Sequence, residues 1–252
     1  MKTFNRKKTV VALCGMLMLA ACASGKSEEE EASLSAEELY KQGYQDLQKT
    51  AYAKAAENFE KVEIEHPYSR WAVKAKLMGG YAHYKNEKYD DAVISFERFI
   101  KFHPGNKDVA YAYYMKGLCY YDQISPADKD QSITAKANDA LQQVVIMFPN
   151  TAYAKDAAQK LNLTADHMAG QEMTIGRYYL NGKNYLSALN RFNAVVENYQ
   201  TTTQIEEALY RQAEIYTILG MDNQALKAAK VLQHNYPQSS WNAKAQNLIQ
   251  TK

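Results

Sequence analysis

Cysteine and histidine carry much of the reactive side-chain chemistry available near neutral pH, and this chain has three of the first and five of the second. His66, His83, His103, His167 and His234 are scattered, and no H-E-x-x-H pair sets two of them on one helix face to hold zinc. His66 and His103 stand directly before Pro67 and Pro104, where they read as helix-terminal residues. A G-x-S-x-G elbow, a Walker phosphate loop and a G-x-G-x-x-G fingerprint are missing as well. No nucleophile, metal ligand or catalytic residue is assigned, so a non-enzyme is expected. Cys119 falls in an apolar helical run and reads as a small buried packing residue. Cys22 is different: it ends an apolar run and begins a polar one, in "MLMLAACASGKSEEEE" at 16–31.

The residues before Cys22 explain its place. The chain opens with Lys2, Arg6, Lys7 and Lys8 and no acid, then runs through the apolar "VVALCGMLMLAA". Basic, apolar and small-residue regions in that order are the layout of a secretory signal, and roughly 13 apolar residues fall short of the ~20 that a spanning helix needs. Leu19-Ala20-Ala21-Cys22 resembles a bacterial lipobox. That resemblance implies removal of residues 1–21 and attachment of diacylglycerol and an N-acyl chain to Cys22, with no other cofactor. Each buried CH₂ contributes ~0.8 kcal/mol, and two or more chains make a stable anchor. An ordinary secretory signal cleaved near Ala21 is the competing reading, because Ala-x-Ala is also present. Ala23, not Asp, follows the cysteine. By resemblance to enterobacterial sorting, this implies the outer membrane of a Gram-negative cell, on its periplasmic face.

Residues 22–35, with Glu28 to Glu31 in a row and no aromatics, cannot bury enough surface to fold and read as a flexible acidic tether. The leader also biases the charge. Residues 1–21 hold four of the 30 basic residues and none of the 28 acidic ones, so the mature chain carries about −2 instead of +2. Such balance offers no electrostatic case for nucleic acid. With Cys14 removed and Cys22 acylated, Cys119 has no disulfide partner, and packing must hold the fold.

Repeats supply that packing. "YAKAAENFEKVEIEHP" (52–67), "YDDAVISFERFIKFHP" (89–104), "AKANDALQQVVIMFP" (135–149), "YLSALNRFNAVVENYQ" (185–200) and "NQALKAAKVLQHNYP" (223–237) share one pattern. A small residue is followed four later by a large apolar one (Ala229 in the fifth), and eight after that by a proline or its substitute. Upstream of each lies a helix with its own small residue: Gly43, Gly80, Gly117, Gly176 and Ala213, commonly 37 residues apart. Their partners are Ala55, Ala92, Ala137, Ala188 and Ala225. This is the tetratricopeptide (TPR) grammar, in which small residues mark the contact between helix A and helix B and proline ends helix B. The expected fold is all-α, an α-solenoid of five helix pairs closed by a C-terminal capping helix in "SSWNAKAQNLIQ". Strand-type alternation is lacking.

Two irregularities break the period. Eight extra residues in the third repeat fall in "DQISPADKDQSI" (122–133), a polar loop between its helices. About 14 more precede Gly176, in a proline-free stretch that predicts one long helix over 152–180, with Gly170 as a bend or a contact point. The chain therefore divides into a signal (1–21), a tether (22–35), N-terminal repeats 1–3 (36–150) and C-terminal repeats 4–5 with the cap (151–252). In such solenoids helix A lines a concave groove, and the register set by the small residues brings Tyr40, Tyr44, Tyr81, Tyr84, Tyr111, Tyr114 and Tyr121 to it. Tyrosine pairs a flat apolar face with a hydroxyl, which suits an extended peptide, although helix A tyrosines also simply pack between repeats.

Lipobox, acidic tether and five TPR pairs together resemble the BamD family of lipoproteins of the outer-membrane β-barrel assembly (BAM) complex. "YAYYMKGLCYYDQ" (111–123), "FERFIKFHP" (96–104), the third repeat with its loop, and "ALNRFNAVVENY" (188–199) are similar to that family's segments. Departures are Gln200 in place of a repeat-ending proline, and Asn138 and Asp139 where apolar or small residues are common. The resemblance implies a scaffold whose C-terminal repeats dock on a POTRA domain of the barrel subunit BamA and whose N-terminal repeats receive the C-terminal β-signal of unfolded outer-membrane proteins. It further implies other BAM lipoproteins as partners and places the BamA contact at Asn190 and Arg191. An arginine there can form a bidentate pair with a carboxylate that lysine cannot reproduce, or can simply be a solvated residue of an outer helix. A TPR lipoprotein serving cell-wall or division enzymes, and a secretin pilotin, stay open as alternatives.

Overall fold

Helical periodicity is realised along the whole described part of the computed structural model, residues 34–250. The leader, Cys22 and most of the tether lie outside the described residues. Eleven helices follow one another there: α1 (Ala36–Gln48), α2 (Tyr52–Glu65), α3 (Arg70–Lys85), α4 (Tyr89–Phe102), α5 (Val109–Tyr121), α6 (Ser132–Met147), α7 (Ala152–Asn181), α8 (Tyr185–Asn198), α9 (Ile205–Ile218), α10 (Asp222–Asn235) and α11 (Ser240–Gln250). No strand occurs among the described residues. The expected all-α TPR solenoid is what the chain forms. Consecutive helices pair, and α11 caps the end against α9 and α10.

The small residues act as the sequence suggests. A Cβ added to Gly43 would sit 2.9 Å from the Phe59 ring, one at Gly80 2.9 Å from Phe96, and one at Gly117 2.9 Å from Leu141. At Gly176 the approach is closer still, 2.6 Å to Phe192. In the first four repeats helix A thus lies directly on a large apolar side chain of its helix B, and Phe59, Phe96, Leu141 and Phe192 are fully buried. Because one pair cannot close its own core, the clusters run across repeat boundaries. Phe96 and Phe99 of α4 share a core with Ala112 and Met115 of α5, for example.

Helix B ends the same way five times. His66, His103, Phe148, Tyr199 and Tyr236 all take φ between −133° and −131°, and each N–H donates to the carbonyl four residues earlier. Proline follows in four cases. Gln200 follows in the fourth repeat, so the stop is set by the backbone turn and not by the proline alone. The A-to-B turns are also shared: Thr50, Glu87, Lys183 and Gly220 occupy the left-handed region at φ 58°, 58°, 59° and 72°. The third repeat has no such turn, and its polar insertion takes that place.

The long helix appears as α7, 30 residues from Ala152 to Asn181. Gly170 within it is a contact point. Its Cα faces Ala127 of the insertion, where an added Cβ would be 3.2 Å from the alanine methyl. Gln171 Nε2 donates to the Lys129 carbonyl at 3.2 Å, and the buried Gln131 holds the loop from inside through the Pro126 and Lys129 carbonyls. The insertion is therefore fastened to the fourth repeat.

Candidate functional site

Asn190 and Arg191 sit in the middle of α8, where the 3.6-residue period turns Phe192 into the core and leaves Asn190 exposed. Arg191 is half-buried, and Glu172 of α7 reaches it from across the pair: both carboxylate oxygens accept from Nη1, at 3.1 and 3.3 Å. One nitrogen of a five-donor guanidinium is thus engaged. A partly exposed ion pair of this kind contributes about 0–1 kcal/mol, so a second carboxylate can join or replace Glu172 at small cost. Around the pair lies a pocket of ≈ 290 Å³ lined by Glu172, Tyr179, Ser187, Asn190, Arg191 and Ala194. It is more polar than apolar in character, which suits a charged side chain from a partner. Glu172 is the residue that sequence reasoning missed. Its 19-residue distance from Arg191 is the antiparallel register of a helix pair and is recognisable once that register is known.

The seven tyrosines divide into two groups. Tyr40 and Tyr44 line one pocket of ≈ 420 Å³ at the first repeat, with Lys41, Gln45, Gln48 and Trp71. Tyr40 packs on Trp71 with ring centroids 4.8 Å apart, and burial pushes its phenol above the usual range. Lys74 Nζ and Arg70 Cζ stand 5.0 and 5.3 Å from the Trp71 ring centroid, so cations border this aromatic surface. The other five are half-buried in the solenoid. Tyr81 packs against the second-repeat core. Tyr84 donates to Asp122 at 2.5 Å and Tyr114 to Asp156 at 2.5 Å, each across a repeat junction. Tyr111 and Tyr114 pack on Tyr153, and the Tyr121 ring carries Lys160 Nζ 5.2 Å from its centroid. Burial first, and then the carboxylate, raises the Tyr84 and Tyr114 phenols, while Asp156 is held low by the Tyr114 hydroxyl and then by Lys160.

Cys119 is fully buried, with burial pushing its thiol up to about 12. His66 and His103 cap α2 and α4. Among the described residues no group of His, Cys, Asp and Glu is placed to hold a metal ion, and no helix is long and apolar enough to cross a membrane.

Comparison with known proteins finds relatives along nearly the whole chain. BamD of Rickettsia prowazekii, an outer membrane protein assembly factor, is 44% identical over 233 residues, covering 92% of each chain. The protein of the same name from Caulobacter vibrioides is 38% identical, over 96% of this chain and 81% of its own. Among solved structures, a tetratricopeptide repeat protein from Parabacteroides merdae is loosely similar, at 16% identity and a TM-score of 0.38 over 85% of this chain and 73% of that one. The YfiO profile, described as outer membrane lipoprotein, matches residues 32–231, from the end of the tether into α10. With that match spanning nearly all the repeats, the chain belongs to the YfiO family of outer membrane lipoproteins.

Proposed function

We propose that this chain is an assembly factor for outer-membrane β-barrel proteins, a scaffold of the BAM complex and not an enzyme. The observation that carries the reading is the 44% identity over 92% of both chains with an outer membrane protein assembly factor. In this reading acylated Cys22 anchors the chain to the outer membrane, and residues 22–35 let the solenoid reach its partners from the periplasmic face. Repeats 4–5 and the cap (151–252) dock on the POTRA domain of a BamA-like barrel protein beside other BAM lipoproteins. Repeats 1–3 (36–150) receive the β-signal of an unfolded outer-membrane protein.

The chemistry of each step is simple. Arg191 offers its free donors to a POTRA carboxylate, and Asn190 beside it adds a neutral donor and acceptor. The Tyr40–Tyr44–Trp71 surface stacks an aromatic side chain of the client, while Lys74 and Arg70 suit a carboxylate next to it. The other five tyrosines keep the groove wall rigid: Tyr84 and Tyr114 through their aspartates, Tyr111 and Tyr114 through Tyr153, Tyr121 under Lys160 and Tyr81 by packing on the core. Both events are reversible binding, as passing a client onward requires.

The test is affinity purification of the acylated chain from detergent-solubilised membranes, wild type beside Arg191→Ala and Arg191→Lys, with mass spectrometry of the co-eluting proteins. A POTRA-bearing barrel protein is expected to dominate, with recovery falling at least about tenfold in Arg191→Ala and only partly restored by lysine. Unchanged recovery in Arg191→Ala would remove the docking site but keep the complex. Recovery of cell-wall enzymes or a secretin in its place would remove the function.

A further inference from the structure

Repeats of one fold place equivalent residues in equivalent positions, so a difference in chemistry at one position marks a difference in surroundings. The last two exposed positions of helix B show such a difference. In the first three repeats they hold Ile64 and Glu65, Lys101 and Phe102, and Ile146 and Met147, and Ile64, Phe102 and Ile146 are 77%, 62% and 69% exposed. In the fourth and fifth they hold Glu197 and Asn198, and His234 and Asn235, all exposed and polar. The shared geometry of the five helix B termini makes the comparison direct. Tyr68, on the turn after α2, is fully exposed as well.

We propose that the edge formed by the C-terminal ends of α2, α4 and α6 contacts the phospholipid surface of the membrane. The reading rests on the membrane anchoring proposed above. Three arguments favour a bilayer as occupant. The apolar side chains stand at separate helix ends, one or two per repeat, and a lipid interface accepts separate points without the shape complementarity that a protein partner needs. A lysine accompanies the aromatic point: exposed Lys101 holds its ammonium 5.7 Å from the Phe102 ring centroid, at the surface where a lipid phosphate would lie, and the mostly buried Lys76 stands 5.6 Å from the same ring. Lys76 also pairs with Glu63 at 3.5 Å, which draws the ends of α2 and α4 together. Glu65 is the exposed acid on this edge. Finally, the edge belongs to the repeats that follow the anchor. Fourteen residues from Cys22 to Ser35 span at most about 50 Å when extended, so acylation keeps the first repeat near the bilayer.

The test uses the mature chain with Cys22→Ser, so that no acyl chain contributes, and vesicles of three parts phosphatidylethanolamine to one part phosphatidylglycerol. Co-sedimentation is measured for this protein, for a variant with Ile64→Ser, Phe102→Ser and Ile146→Ser, and for a control with Ile218→Ser and Leu226→Ser on the later repeats. The edge variant is expected to lose at least about tenfold in partition coefficient and the control to bind as the parent does, with helical circular dichroism alike in all three. Failure of the parent to sediment with vesicles overturns the proposal, as does equal loss in the control or retention by the edge variant. Vesicle binding that survives in the edge variant, together with loss of a co-purifying protein from membranes, assigns the edge to a protein partner instead. None of these outcomes depends on Arg191, so the docking reading stands or falls separately.

Discussion

Gly176 makes the closest approach of any glycine among the described residues. An added methyl there would meet Phe192 Cε1 at 2.6 Å and Cζ at 2.8 Å, and Phe192 is fully buried. Replacing a helical glycine by alanine gains about 1 kcal/mol in helix propensity, whereas overpacking a closed core costs about 1–3 kcal/mol. Packing wins at this position, so Gly176→Ala should lower stability by up to about 2 kcal/mol, read as a lower urea midpoint at unchanged slope. Gly43, Gly80 and Gly117, each at 2.9 Å, should respond less. A midpoint for Gly176→Ala equal to or above that of the parent would show that α7 and α8 can separate freely. The residue scale also explains Arg191. Its partner Glu172 holds it in place by one nitrogen, which orients the fork without exhausting it.

At the scale of elements, the insertion between α5 and α6 has a specific job. Gly170 lets Ala127 approach α7, and Gln171 and Gln131 tie the loop backbone down from two sides. A larger side chain at 170 must displace the loop, because the helix backbone beneath it is fixed by its own hydrogen bonds. Gly170→Leu should therefore raise hydrogen exchange at the Lys129 amide, which now donates to the Pro126 carbonyl at 2.9 Å, while α7 stays protected. Unchanged exchange at Lys129 would mean that the loop is held by its own turns alone. Much of this architecture is legible in the sequence, since the 37-residue spacing of Gly43, Gly80 and Gly117 reports helix contacts directly, and the proline-free stretch of 152–180 predicts α7 to within a residue. The placement of the tyrosines is not. Tyr84 and Tyr114 turn into repeat junctions because Asp122 and Asp156 wait there, 38 and 42 residues on, and no local pattern encodes a pair at that distance. Tyr40 and Tyr44 reach a pocket because no repeat precedes theirs to cover them among the described residues. Glu172 was hidden for a related reason: its role depends on the α7–α8 register, which the extra residues before Gly176 obscure.

The whole molecule is a chain of small cores joined by half-buried phenols, and that construction sets its response to alkali. Tyr40, Tyr89, Tyr111, Tyr120, Tyr199 and Tyr210 all have phenols raised above the ordinary value of 10.0, in each case first by burial. Tyr84 and Tyr114 are raised further by the aspartates that accept their hydroxyls. An acid whose folded value is raised ionises first in the unfolded chain, so its contribution is fully present below the unfolded value and is lost as pH rises from there toward the folded value. Stability should then hold level up to about pH 9, where the buried thiol begins to count, and fall steeply above about pH 10. The buried Cys119 thiol, held up to about 12 against an ordinary 9.0, adds to the same fall. Because these groups are spread from the first repeat to the fifth, the loss should be felt in every junction at once. Phenolate absorbance and helical signal should therefore change together in one transition. Thermal melts taken from pH 8 to pH 11, with both signals followed, check this directly. Phenols that ionise at their ordinary value while the helices stay intact would show that the junction tyrosines are reached by water, and the rigid groove wall drawn here would have to be given up.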